Sequence, residues 1–170
     1  MSPVRKAIAV TLVLGCVALA KGAETPGGEA HAQVGAAHAA HPHHLGFFIG
    51  GATRFEDGSA DDTGVTYGLE YEYRFAPDWG MGAVVEGVAF ADDHRDLAFA
   101  FPLIWHPLDS LSLGIGPGFE TDGSHRTFLM RVSVSYGFHL RNLTISPSLA
   151  YDTTSGPDTF VYGFAVGMGF

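Results

Sequence analysis

Val65-Thr66-Tyr67-Gly68-Leu69-Glu70-Tyr71-Glu72-Tyr73-Arg74-Phe75 is the stretch on which the fold turns. Its odd positions are all large and apolar or aromatic. Its even positions are Thr, Gly, Glu, Glu and Arg. A strand sends successive side chains to opposite faces, so a two-residue period means that the two faces meet different surroundings. Here the large face is free of charge and the other face is small or charged. A soluble sandwich would pack its large residues inward and turn its charges to water. A transmembrane barrel does the reverse: bulky residues meet lipid, and small or polar ones crowd a narrow lumen.

The same alternation recurs along the chain. Phe128, Met130, Val132, Val134, Tyr136 and Phe138 alternate with Leu129, Arg131, Ser133, Ser135, Gly137 and His139. Phe160, Tyr162, Phe164, Val166, Met168 and Phe170 alternate with Val161, Gly163, Ala165, Gly167 and Gly169. Shorter runs around Leu45–Ile49, Met81–Val85, Leu97–Trp105, Leu111–Ile115 and Leu143–Leu149 fit the same period. No outward position of any run is charged, and a Lys or Arg there would cost roughly 2–4 kcal/mol at the bilayer midplane. Outward aromatics gather near the run ends, as interfacial belts do. The expectation is an all-β fold, an eight-stranded antiparallel transmembrane up-and-down β-barrel over residues 44–170.

The connections alternate in length too. Ala76-Pro77-Asp78, Pro107-Leu108-Asp109 and Arg141-Asn142 read as tight turns. Residues 55–63, 91–96, 120–126 and 152–159 read as longer polar loops, which places both chain ends on the short-turn, periplasmic side. Pro102, Pro117 and Pro147 fall inside strands, where each removes a ladder donor; bulges or early strand ends are expected there.

The N-terminal segment reads as an address. Arg5 and Lys6 precede an uncharged run, Ala7–Ala20, shorter than the about twenty residues a spanning helix needs. Ala18-Leu19-Ala20 has the small–x–small pattern of a signal-peptidase site, giving a signal peptide over 1–20. A second reading takes Val13-Leu14-Gly15-Cys16 as a lipoprotein signal with Cys16 lipidated. Residues 21–43, rich in Ala, Gly and His, read as a flexible periplasmic lead-in.

The 170 residues carry 18 acids against 9 Lys and Arg, a net charge of −9, which argues against nucleic acid as a partner. With 23 Gly and 13 Phe the composition suits a crowded interior and an aromatic exterior. Cys16 is the sole cysteine, so no disulfide framework is available.

The chain ends in Phe170, with Met168, Val166, Phe164 and Tyr162 at alternate positions before it. This resembles the C-terminal signal read by the outer-membrane barrel assembly machinery. Together with the address segment and the hairpin pattern, it makes the region from His44 onward resemble the OmpA/OmpX-type porin-like barrels. A His-rich lead-in followed by Leu45-Gly46-Phe47-Phe48-Ile49-Gly50 and Gly68-Leu69-Glu70-Tyr71-Glu72-Tyr73 is similar to a proteobacterial group of such barrels. The resemblance implies outer-membrane residence, contact with lipid and lipopolysaccharide, and no catalytic motif.

Three constellations are candidates for chemistry. Glu70, Glu72, Arg74, Glu86 and Arg131 face inward. They form either a salt-bridge plug, with Arg131 between glutamates, or the charged gate of a narrow solute channel. An eight-stranded lumen is only wide enough for side chains, which favours the plug. His31, His38, His41, His43 and His44 offer imidazoles for Zn or Cu, against a spacer reading in which they bind nothing. The acids of the longer loops, among them Asp62, Asp96, Glu120 and Asp122, read as solvated loop residues or as Ca²⁺ or Mg²⁺ holders between lipid phosphates. A lipid A-modifying enzyme would need a Ser–His pair on the outward wall, and none is legible; Ser135 and His139 share the inward face. A soluble lipocalin-like barrel would need large apolar residues inside, where this chain has Gly, Ala, Ser and Thr. The expected role is structural or interactional at the cell envelope.

Overall fold

A computed structural model describes residues 41–56, 59–90 and 95–170 of the chain. The expected signal segment, most of the lead-in, His31 and His38 lie outside the described residues. Ten strand segments follow one another: β1 (His43–Glu56), β2 (Ser59–Ala76), β3 (Trp79–Phe90), β4 (Arg95–Ala100), β5 (Leu103–Leu108), β6 (Leu111–Thr121), β7 (Arg126–Tyr136), β8 (Phe138–Leu140), β9 (Leu143–Thr154) and β10 (Asp158–Gly169). β4 and β5 are one wall of the barrel interrupted at residues 101 and 102, and β7 and β8 are one wall interrupted at Gly137. The segments therefore make eight walls, all antiparallel, each paired with its neighbour in sequence. β10 pairs with β1 from His44↔Gly169 to Phe55↔Asp158, which closes the sheet on itself. Closure removes the free edges that an open sheet would expose.

Of the two expectations at the prolines, the early strand end occurs at Pro102, where β4 stops at Ala100, and the bulges are absent. Ala100 faces Gly118 and Leu103 faces Ile115, so the register runs unchanged past Pro102 and Pro117. Phe101 N–H donates to the Pro117 carbonyl, and Gly82 N–H donates to the Pro102 carbonyl. Each proline thus keeps its acceptor and loses its donor, and the ladder is interrupted without a shift. Pro147 stands in register with Phe164 inside β9. The register shifts lie elsewhere, at Arg54/Phe55, Arg74/Ala76 and Trp105/Leu108, near strand ends.

The expected longer loops are shorter than the sequence suggests, because strand pairing continues into them. β1 and β2 stay paired to Glu56↔Ser59, β6 and β7 to Thr121↔Arg126, and β9 and β10 extend to Thr154 and from Asp158. Asp158 ties the last connection, accepting from Tyr151 Oη at 2.7 Å and Thr153 Oγ1 at 3.0 Å.

The alternation sorts the side chains as the period requires. Among the described residues thirty large apolar side chains are exposed on the outer wall, from Leu45, Phe47 and Ile49 on β1 to Phe164, Val166 and Met168 on β10. Many of their inward neighbours are small, among them Gly46, Gly68, Gly116 and Ala165. The seam shows why. Gly50 and Gly163 are register partners, and a Cβ on Gly50 would run into the Tyr162 carbonyl oxygen, one on Gly163 into that of Ile49. Only the absence of a side chain lets the first and last walls meet at this spacing. At the end where β1 begins and β10 stops, His43 exchanges backbone hydrogen bonds with Phe170 and stacks on the rings of Tyr73 and Phe170.

Candidate functional site

The lumen divides into two halves. Toward the loop end it is filled. Phe48, Ala52, Val88, Phe90, Val161 and Ala165 pack as one apolar cluster, and Leu129 with Ala98 and Ala100 as another. Leu129 reaches across to Gly118, where a Cβ would stand 2.8 Å from its methyl group. Above this layer Arg54 forms ion pairs with Asp96 and, at 3.3 Å, with Glu120; its guanidinium lies 4.2 Å from the Phe90 ring centre.

Below the apolar layer sits the most buried charge cluster. Arg131 donates from Nε to Asp152 Oδ1 at 2.7 Å, from Nη2 to Asp152 Oδ2 at 2.6 Å, and from Nη2 to Glu86 Oε2 at 2.6 Å. All three side chains are about 3% exposed. Two parallel bonds to one carboxylate fix the planar guanidinium in direction as well as in charge. The residues come from β3, β7 and β9, so the cluster braces the barrel across its diameter.

Toward the terminal end the lumen is open. A cavity of about 730 Å³ runs from the rim at His41, Arg141 and Asn142 to Glu86 and Arg131 at its floor. Arg54, Asp96 and Glu120 do not line it. Near its mouth Glu72 Oε1 lies 2.6 Å from His106 Nε2 and 3.7 Å from Arg74 Nε, and Arg74 Nη2 lies 2.9 Å from His106 Nδ1. Ser112 and Ser135 share a hydrogen bond of 2.6 Å on the opposite side.

The five lumen charges read from the sequence therefore form three groups. Arg131 and Glu86 are together, with Asp152 as the third member in place of a second glutamate. Glu72 and Arg74 are together, with His106 between them. Glu70 lines the cavity near Glu86 and Arg131 and makes no hydrogen bond or ion pair within the described residues. Sequence reasoning missed Asp152, Asp96 and Glu120 by placing them in loops. The signal was available: each keeps the inward parity of its strand, Asp152 after Ser148 and Ala150, Glu120 after Gly116 and Gly118, Asp96 before Ala98.

The histidines separate. His44 faces the cavity and His41 stands at its rim, whereas His43 points to the outer wall and bonds Tyr71 Oη at 2.7 Å. Adjacent strand residues face opposite sides, so His43 and His44 point away from each other. Among the described residues no three His, Cys, Asp or Glu side chains converge as a metal site. The terminal residues Tyr162, Phe164, Val166, Met168 and Phe170 all lie exposed on the outer wall.

No family model and no curated protein matches this chain. Solved structures do. Neisserial surface protein A superposes with a TM-score of 0.64 at 12% identity, covering 76% of this chain and 97% of that one. The chain has the fold of the small outer-membrane β-barrels. Two further structures carry the same barrel. Ail, the attachment invasion locus protein of Yersinia pestis, has a TM-score of 0.53 at 17% identity over 75% of this chain and 97% of its own. The outer membrane protein OprG of Pseudomonas aeruginosa has 0.53 at 14% identity over 76% and 98%. At such identities the likeness concerns the fold, and the barrel's own residues carry any reading of its role.

Proposed function

We propose that the chain is an integral outer-membrane barrel whose lumen is closed toward the cell surface and open toward the periplasm, with a structural or interactional role in the envelope. The observation that carries this is the outer wall: thirty exposed large apolar side chains among the described residues of a closed barrel, far beyond what a soluble monomer leaves in water. The apolar layer around Phe48, Val88 and Leu129, with Arg54, Asp96 and Glu120 above it, supports a plug against the channel alternative. The exposed row ending in Phe170 supports recognition by the assembly machinery and contact with lipid and lipopolysaccharide. No role in this reading is catalytic. The test is membrane fractionation combined with planar-bilayer recording. Recovery with the outer membrane and a silent baseline are expected; recovery in the soluble periplasm, or steady conductance, would overturn the respective half of the reading.

A second role rests on His41 and His44, which both line the cavity at one end of the barrel. We propose that Zn²⁺ or Cu²⁺ binds there together with His31 and His38. Calorimetric titration with and without residues 21–44 tests it. Binding with Kd of about 10 μM or tighter that vanishes on truncation is expected, and its absence from the full chain ends the idea.

A further inference from the structure

The inner end of the periplasm-facing cavity holds more carboxyl groups than cations to pair with them. Glu86 and Asp152 hold Arg131 directly, and Glu70 on β2 stands beside them with its carboxylate turned to the cavity. Three carboxyl groups stand near one guanidinium, and only two of them reach it. Farther out, Arg74 is engaged with Glu72 and His106, so it does not offset the excess. A carboxyl group away from bulk water is costly to ionise alone, and a cation that reaches it can take the place of its proton. The cavity supplies the route by which one can arrive.

The wall across from Glu70 shows what kind of partner fits. Outward from Arg131 it is polar and uncharged, with Ser133 and Ser135 on β7 and Ser146 and Ser148 on β9 lining the same space. Hydroxyls accept hydrogen bonds from N–H groups and carry no charge to repel a cation. One free carboxylate facing several hydroxyls suits a ligand that brings both a positive charge and several N–H donors. It does not suit a bare metal ion, since Glu86 and Asp152 are held by Arg131 and no group of three ligating side chains forms a metal site among the described residues.

We propose that the cavity is a binding site for a small organic cation bearing a primary ammonium group, with Glu70 as its charge partner and the facing serines as its neutral acceptors. The site goes beyond the envelope role proposed above. It needs access from the terminal end of the barrel and does not need a silent lumen, so a conducting protein would overturn the plug and leave this proposal standing.

The test is calorimetric titration of the full chain in detergent micelles with 1,4-diaminobutane, at constant ionic strength. Tetramethylammonium serves as a cation of similar bulk without N–H donors. Saturable binding of the diamine is expected, weakened about tenfold or more by Glu70→Gln, the loss of one charge-assisted hydrogen bond. Tetramethylammonium should compete poorly. Absence of saturable binding, equal binding by Glu70→Gln, or equal competition by tetramethylammonium overturns the proposal. Should Glu70→Gln fail to fold, amide shift mapping on the unaltered protein decides. Diamine-induced shifts confined to Glu70, Glu86, Arg131 and Ser133 support the site, and shifts confined to the loop end or the His-rich segment overturn it.

Discussion

Arg131 and Asp152 meet through two parallel hydrogen bonds, 2.7 and 2.6 Å long, that tie β7 to β9 inside the lumen. The pair stands where the filled half of the barrel gives way to the open half. Removing Arg131 leaves Glu86 and Asp152 buried without a counter-charge. Arg131→Ala is expected to destabilise the barrel by about 3–5 kcal/mol, the cost of breaking a buried pair from one side. Urea unfolding from liposomes measures it. The triple change Arg131→Met, Glu86→Gln, Asp152→Asn should recover much of the loss, because it removes the orphaned charges as well.

The same variant separates plug from gate. In planar bilayers Arg131→Ala should stay silent, since the layer formed by Phe48, Val88 and Leu129 remains between the cavity and the loop end. Stepwise conductance in that variant would assign the closure to the charge cluster instead.

The seam between the first and last walls depends on Gly50 and Gly163. Gly163→Val forces a side chain into the Ile49 carbonyl and toward the Phe48 ring. Overpacking costs typically about 1–3 kcal/mol where neighbours can move, and backbone cannot move far in a closed barrel. The variant should show a reduced folded fraction, read as loss of the fast-migrating band on unheated gels.

The β6–β7 connection has a pH dependence of known sign. The Asp122 carboxylate accepts from the backbone N–H of Ser124 and of His125, each at 2.7 Å, and these bonds lower its pKa to about 2. A depressed pKa means that the stabilising contribution is fully present above the ordinary carboxylate value near 3.8 and is lost as pH falls through about 2. The amide protons of Ser124 and His125 should therefore hold their shifts down to pH 3 and titrate below it. A midpoint at the ordinary value would show the turn to be unformed, and Asp122→Asn should abolish the transition.

The fold was legible because lipid and lumen impose opposite demands on alternate residues, and Val65–Phe75 and Phe160–Phe170 state both without exception. The prolines and acids were harder to place. Pro102 and Pro117 suggested bulges because a missing donor looks the same whether the register shifts or holds; only their retained carbonyl bonds distinguish the two. Asp96, Glu120 and Asp152 looked like loop residues because acids are commonest there. Their parity already placed them inward, and the extension of the hairpins puts them against Arg54 and Arg131. Glu70 and Glu72 sat on the expected face, but two residues along a strand is enough to divide one from the other. Glu72 meets His106 from β5, a contact between walls that period alone does not encode.

The account's central claim is that alternate residues of β2 meet hydrocarbon and lumen. A nitroxide scan from Val65 to Phe75 in liposomes, in a Cys16→Ser background, tests it most directly. Oxygen accessibility should rise at Val65, Tyr67, Leu69, Tyr71, Tyr73 and Phe75 and fall at every position between them. A flat profile, or one with the high values at Thr66, Gly68, Glu70 and Glu72, would contradict it.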